Sequence, residues 1–219
     1  MPATIFEQCF AALMVHEVGA DPLDPSAWSG RAIGAGQFIC EDDGLDMSRE
    51  DSGNWTGGAV GVGTLGGTRY GIDTASYCDA RKALPAALAP RYPALVRDLT
   101  LDQARELTRF AYWKPIRGDE LPPAVALMTL DAAFNNGVGR AARWLQEAAG
   151  TDVDGDIGDG TMAAVRRRAG NGPGEDLAID VLAERMDFMA KLPTWRIYGF
   201  GWSRRLARLP FQAARLSAG

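Results

Sequence analysis

The chain is short of the groups that most often carry nucleophilic and metal chemistry. A single histidine, His16, stands among 219 residues. One imidazole cannot supply a zinc site of the H-E-x-x-H kind, and no serine stands in a G-x-S-x-G elbow. Serine hydrolase and zinc hydrolase chemistry are set aside on those grounds. The three cysteines, Cys9, Cys40 and Cys78, are odd in number and lack C-x-x-C spacing, so they read as buried thiols rather than a disulfide framework. Basic residues are outnumbered by acidic ones, 23 to 28. A net charge of −5 argues against a general nucleic-acid binder, because phosphate binding rests on clustered Lys and Arg. No uncharged apolar run is long enough to span a bilayer, so stable membrane insertion is not expected.

What is present is ordinary globular material, 47% hydrophobic and 23% charged. The length suits one sizeable core or two small ones. In the first helix Phe6, Phe10 and Leu13 recur at i, i+4 and i+7, with Ala11, Met14 and Val18 on an adjoining stripe. Four residues beyond Leu13 the stripe reaches Glu17. Gly19, Asp21-Pro22 and Asp24-Pro25 then stop the helix. Residues 19–74 are rich in Gly, Asp, Ser and Thr, which for so long a loop points to function or to disorder. Within it "DPSAWSGRAIGAG" echoes "DSGNWTGGAVGVG", either as a duplication or by chance.

From residue 75 the pattern is helical. Thr100 reads as the N-cap of "LDQARELTRFAYWKPI", with Leu101, Ala104, Leu107 and Ala111 inward. "PPAVALMTLDAAFNNG" predicts a nearly wholly apolar central helix, and 175–192 a further amphipathic one. The C-terminal arginines, Arg196, Arg204, Arg205, Arg208 and Arg215, read as a solvated helix face, with contact to an anionic polymer as the alternative. "DVDGDIGDG" imitates a calcium loop, but Ile157 and Ala163 occupy positions six and twelve, where glycine and glutamate are needed. It reads instead as a tight turn before a helix capped near Thr161. The fold class expected is mainly α, with a long Gly-rich loop region and at most a short β-hairpin near 55–72.

That leaves carboxylates. Cleaving a glycosidic bond needs a protonated acid to donate to the leaving oxygen, and placement against apolar side chains favours that form. Glu17, at the tip of an apolar stripe and facing a polar loop, has such a placement; a helix-terminal salt bridge is the competing reading. Asp51, in a Gly- and Asn-rich loop, suits an ionised partner better than the crowded Glu41 and Asp42. His16 reads as a hydrogen-bonding neighbour of Glu17.

These stretches resemble the glycoside hydrolase family 108 muramidases, found among phage endolysins and related bacterial lysis or secretion factors. "FEQCFAALMVHEVG" is similar to the family's helix ending in H-E-G-G-Y, with Val18 in place of the first Gly. "GLDMSREDSGNWTGG" resembles its D-P-x-D-P-G-G segment through Asp51 and Gly53. "GTRYGI" resembles its T-x-x-G-I end, giving Thr68, Tyr70 and Gly71. Insertions separate Gly19 from Gly44 and Gly53 from Thr68. A register placing Glu41 or Asp42 at the acid position is rejected, because "SGRAIGAGQFIC" before it is a poor helix. The later helices and "FGWSRRL" are similar to the family's peptidoglycan-binding region and ending.

The resemblance implies a lysozyme-like catalytic region over 1–117, a helical peptidoglycan-binding region over 118–192 and a basic aromatic tail over 193–219. It implies cleavage of the β-1,4 bond between N-acetylmuramic acid and N-acetylglucosamine in peptidoglycan glycan strands. Glu17 would be the acid, with Asp51 and Thr68 orienting water or stabilising the cationic transition state. Tyr70, His16 and Asn135 would contact substrate; Asn135 alternatively caps the next helix. No metal or organic cofactor is implied, and a monomer is expected. "MPATIFEQCF" lacks a basic n-region, so synthesis in the cytoplasm, then holin release or particle delivery, is expected. The competing readings are an idle wall-binding or virion-structural protein with this fold, and a lytic transglycosylase.

Overall fold

The computed structural model describes residues 3–19 and 45–217. The first copy of the glycine-rich echo, together with Trp28, Cys40, Glu41 and Asp42, lies outside the described residues. The chain divides into two compact units, one of Phe10–Ala111 and one of Met1–Cys9 with Tyr112–Gly219. The described residues are mainly helical, with eight α-helices and one small sheet.

Helix α1 spans Ile5–Glu17. Thr4 and Glu7 open it reciprocally: the Glu7 amide donates to Thr4 Oγ1 (3.2 Å) and the Thr4 amide to Glu7 Oε2 (2.7 Å). Phe6, Phe10, Leu13, Ala11 and Met14 are all buried, as their spacing predicts. The helix closes where the amides of Val18 and Gly19 both donate to the Met14 carbonyl, with Gly19 at φ +71°.

In the unit Phe10–Ala111, strands β1 (Leu45–Asp46), β2 (Thr68–Arg69) and β3 (Ile72–Asp73) form an antiparallel sheet in that order. The short hairpin expected near 55–72 is present at the end of that stretch. Residues 55 and 65 share only an isolated bridge, and the true hairpin is β2–β3. Two-residue strands carry no alternation from which sequence could place them. Helix α2 (Thr74–Ala83) follows, capped by Asp73, whose Oδ1 accepts from the Ser76 amide (2.9 Å). Helix α3 (Leu101–Thr108) begins with the Thr100 cap, completed by Gln103 as a full capping box. Ala104 and Leu107 are buried, whereas Leu101 and Ala111 are half-buried.

The other unit is built on α4 (Pro123–Asn136), in which every residue from Ala124 to Ala133 is buried. Around it pack α5 (Val138–Ala149), α7 (Glu175–Ala190) and α8 (Trp195–Ser217); α6 (Asp159–Ala169) packs on α5 and α7. Inside this apolar helix sits Asp131, wholly buried between Arg185 Nη1 (2.5 Å) and Arg205 Nη2 (2.6 Å). Burial opposes its charge, but Arg205 and Arg185 together hold its carboxyl well below the usual carboxylate range. Thr161 is not a cap, as was expected of it. Helix α6 starts at Asp159, and the buried Thr161 hydroxyl accepts from Gln146 Nε2 (3.1 Å).

Candidate active site

Glu17 is the last residue of α1 and half-buried. Its Oε1 is shielded from solvent. Its carboxyl group lies on the β2–β3 turn. Arg69 pairs with Ile72, so the turn is the dipeptide Tyr70-Gly71, at φ +53° and +73°. Two consecutive positive φ values mark a type I′ turn, the form whose twist suits a two-residue hairpin. A Cβ on Gly71 would fall 2.6 Å from Glu17 Oε2 and 2.8 Å from its Cδ. Glycine is therefore required twice at this position, by backbone angle and by the carboxyl group resting on it.

Thr68 occupies the central strand, directly opposite Asp46 on one side and Asp73 on the other. Residues so paired share one face of a sheet, so Asp46, Thr68 and Asp73 form a row. The hydroxyl of Thr68 donates to Oδ1 of Asn54 (2.6 Å). Asn54 is completely buried. Its Nδ2 donates to the Ser48 carbonyl (2.9 Å), and its own carbonyl accepts from the amides of Gly66 (2.9 Å) and Gly67 (3.2 Å). The hydrogen of Thr68 is thus committed inward, leaving the hydroxyl lone pairs to accept from a water or a sugar.

Asp51 is exposed and opens the 3-10 turn Ser52–Asn54, its Oδ1 accepting from the Gly53 amide (2.8 Å). It holds the turn that delivers Asn54 to Thr68. A Cβ on Gly53 would lie 3.1 Å from Asp73 Cβ and 3.3 Å from Asp51 Oδ1, so glycine brings these two acids close together.

Four of the residues singled out from sequence thus fall into two groups in one unit. Glu17 rests on Gly71 in the turn that Tyr70 begins, and Asp51 and Thr68 are joined through Asn54. His16 stands half-buried in the last turn of α1. Tyr70 is 5% exposed, its ring covered by Arg69 at 5.3 Å, so little of it is open to a sugar. Asn135 belongs to the other unit, where its Nδ2 donates to the Asp131 carbonyl one turn back in α4 (2.8 Å). Asn54, Asp46 and Asp73 were missed. An asparagine three residues after a capping Asp is the only local sign of the first, and the acids gain meaning only from strand register.

The acidic loop after α5 is closed by protein groups. Gln146 donates through Nε2 to Asp154 Oδ1 (2.7 Å) and accepts from the Gly155 amide through Oε1 (2.8 Å). Among the described residues no group of His, Cys, Asp and Glu is arranged to hold a metal ion.

Comparison with known proteins gives this geometry a family. The model of glycosyl hydrolase 108 matches residues 40–137, and that of the predicted peptidoglycan domain matches 140–207. Among curated proteins none matches. A solved structure, that of Brucella abortus SagA, is 32% identical, with a TM-score of 0.59 over 71% of this chain and 84% of its own. The chain belongs to the glycosyl hydrolase 108 family. Membership makes it a glycosyl hydrolase directed at peptidoglycan, and the peptidoglycan region takes in α5, α6, α7 and the first half of α8. Asp51, Thr68 and Tyr70 lie inside the glycosyl hydrolase 108 match, whereas Glu17 precedes it.

Proposed function

We propose that this glycosyl hydrolase is an N-acetylmuramidase, cleaving the β-1,4 bond between N-acetylmuramic acid and N-acetylglucosamine with Glu17 as general acid. The observation that carries the proposal is the carboxyl group of Glu17 resting on Gly71, at the tip of the hairpin that also bears Thr68. A glycosidase needs a proton donor and a water-holding or charge-stabilising group, both fixed relative to one sugar. Helix α1 and the β2–β3 hairpin supply both. Thr68 stands two residues before the turn, about 7 Å along the strand.

In this reading Glu17 gives its proton to the bridging oxygen as the C1–O bond breaks. Thr68, its hydrogen held by Asn54, accepts a hydrogen bond from the water whose oxygen bonds to C1. The Asp51 carboxylate supplies negative charge to the developing cation, and the proton released by the water passes to solvent. Tyr70 acts mainly by shaping the turn beneath Glu17.

The test is Glu17→Gln, assayed on purified sacculi with mass spectrometry of the products. Loss of clearing by about two to four orders of magnitude is expected, the span of general acid catalysis. Parent products should carry reducing N-acetylmuramic acid ends. Anhydro ends would establish transglycosylation instead, and a variant as fast as the parent would remove Glu17 from the reaction.

A further inference from the structure

Helix α8 buries one face and leaves the other bare. Gly199, Leu206, Leu209 and Ala213 point inward, and the helix packs on α4 and α7. Outward stand Ile197 (73% exposed), Phe200 (79%) and Phe211 (74%). Arg204, Arg208 and Arg215 are exposed between and beyond them. Taken in order, Ile197, Phe200, Arg204, Arg208, Phe211 and Arg215 are spaced three, four, four, three and four residues apart, a single helical stripe. It runs about 27 Å along the helix.

The charge on this stripe is not neutralised. Helix α8 contains no Asp or Glu, and among the described residues no carboxylate pairs with Arg204, Arg208 or Arg215. Arg205, by contrast, turns inward to Asp131. Asp180 and Asp187 of neighbouring α7 are paired with Arg168 and Lys191. A chain of net charge −5 thus concentrates arginines that have no carboxylate partner beside the most exposed aromatic rings among the described residues, with Arg204 lying over the Phe200 ring at 5.9 Å.

We infer that the outward face of α8 docks the protein on an anionic phospholipid surface, with the arginines at lipid phosphates and Phe200, Phe211 and Ile197 in the interface. Arginine and apolar side chains interleaved along one helix suit a helix lying in the plane of a bilayer. A polyanion would engage the guanidinium groups and leave the Phe and Ile side chains in water. The other aromatic side chains of α8 near its start stand on another side of the helix. There Trp195, Tyr198 and Trp202 already pack on one another, with centroids 5.9 and 5.8 Å apart and Gly199 beneath Trp195. Among the described residues no helix is long and apolar enough to cross a membrane, so the attachment is peripheral.

The inference is independent of the proposed bond specificity, and full-chain protein tests it. Co-sedimentation with vesicles of equal parts phosphatidylcholine and phosphatidylglycerol should retain the protein, and pure phosphatidylcholine vesicles should not. The double variant Arg208→Gln/Arg215→Gln should bind the anionic vesicles about 25-fold more weakly, from loss of two interfacial cations. Phe211→Ser should also weaken binding. All three changed residues lie beyond the matched peptidoglycan region, so clearing of membrane-free sacculi should stay at the parent rate. Equal retention on both vesicle types, or variants that bind like the parent, would overturn the inference. So would an equal loss of binding to membrane-free sacculi, which would make the stripe a glycan surface. Self-association of the parent abolished by Phe211→Ser would assign it to a second copy of the chain.

Discussion

At the scale of single residues, the site turns on Gly71. Alanine there meets two penalties, a left-handed backbone worth about 1–2 kcal/mol and a methyl group in the place of the Glu17 carboxyl group. Gly71→Ala should therefore lower both the unfolding free energy and sacculus clearing, whereas Glu17→Gln should abolish clearing with the melting temperature unchanged. Circular dichroism melts beside a turbidity assay separate the two. Glu17 was legible in the sequence because the apolar stripe leads to it and α1 stops there. Its contact was not, since Gly71 lies 54 residues further on and only the fold brings them together. Asn54 was illegible for a related reason. Nothing local distinguishes a buried asparagine bound to a threonine 14 residues away from one capping a loop.

At the scale of elements, the hairpin and the turn Ser52–Asn54 act as one part. Thr68→Ser keeps the hydroxyl donated to Asn54 and should keep most of the activity. Thr68→Val removes it and should lower kcat about tenfold or more, as loss of one fixed hydrogen-bonding group does, and should lower stability too, because the buried Asn54 Oδ1 loses its donor. Asn54→Ala should also destabilise the protein by about 1–3 kcal/mol in urea unfolding, because it strands buried partners. Helices with strong periodicity and side-chain caps were readable, and α3 with its Thr100–Gln103 box is the clearest case. Helix α6 was misread at its start because the Thr161 hydroxyl that resembled a cap serves Gln146 instead. Strand β1 was illegible because its pairing with β2 spans a 21-residue loop, and two-residue strands leave no pattern.

At the scale of the whole molecule, an acidic chain folds as two compact units, one holding Glu17, Asp51 and Thr68 and the other matched by the peptidoglycan region. The second is tied together by the buried Asp131, which links α4 to α7 and α8 through Arg185 and Arg205. Asp131→Asn should cost about 3–5 kcal/mol, since it leaves two guanidinium groups short of their counter-charge. Because the folded carboxyl group is held below its unfolded value, its stabilisation is present above about pH 4 and is lost as acid protonates it. The parent's melting temperature should fall steeply below that pH, and the variant's should fall less. The assignment of Glu17 as the acid of a muramidase is tested most directly by mass spectrometry of sacculi digested with parent and Glu17→Gln protein side by side. Soluble fragments with reducing N-acetylmuramic acid ends from the parent, and none from the variant, are the expected result. The same fragments from the variant at the parent's rate would contradict it.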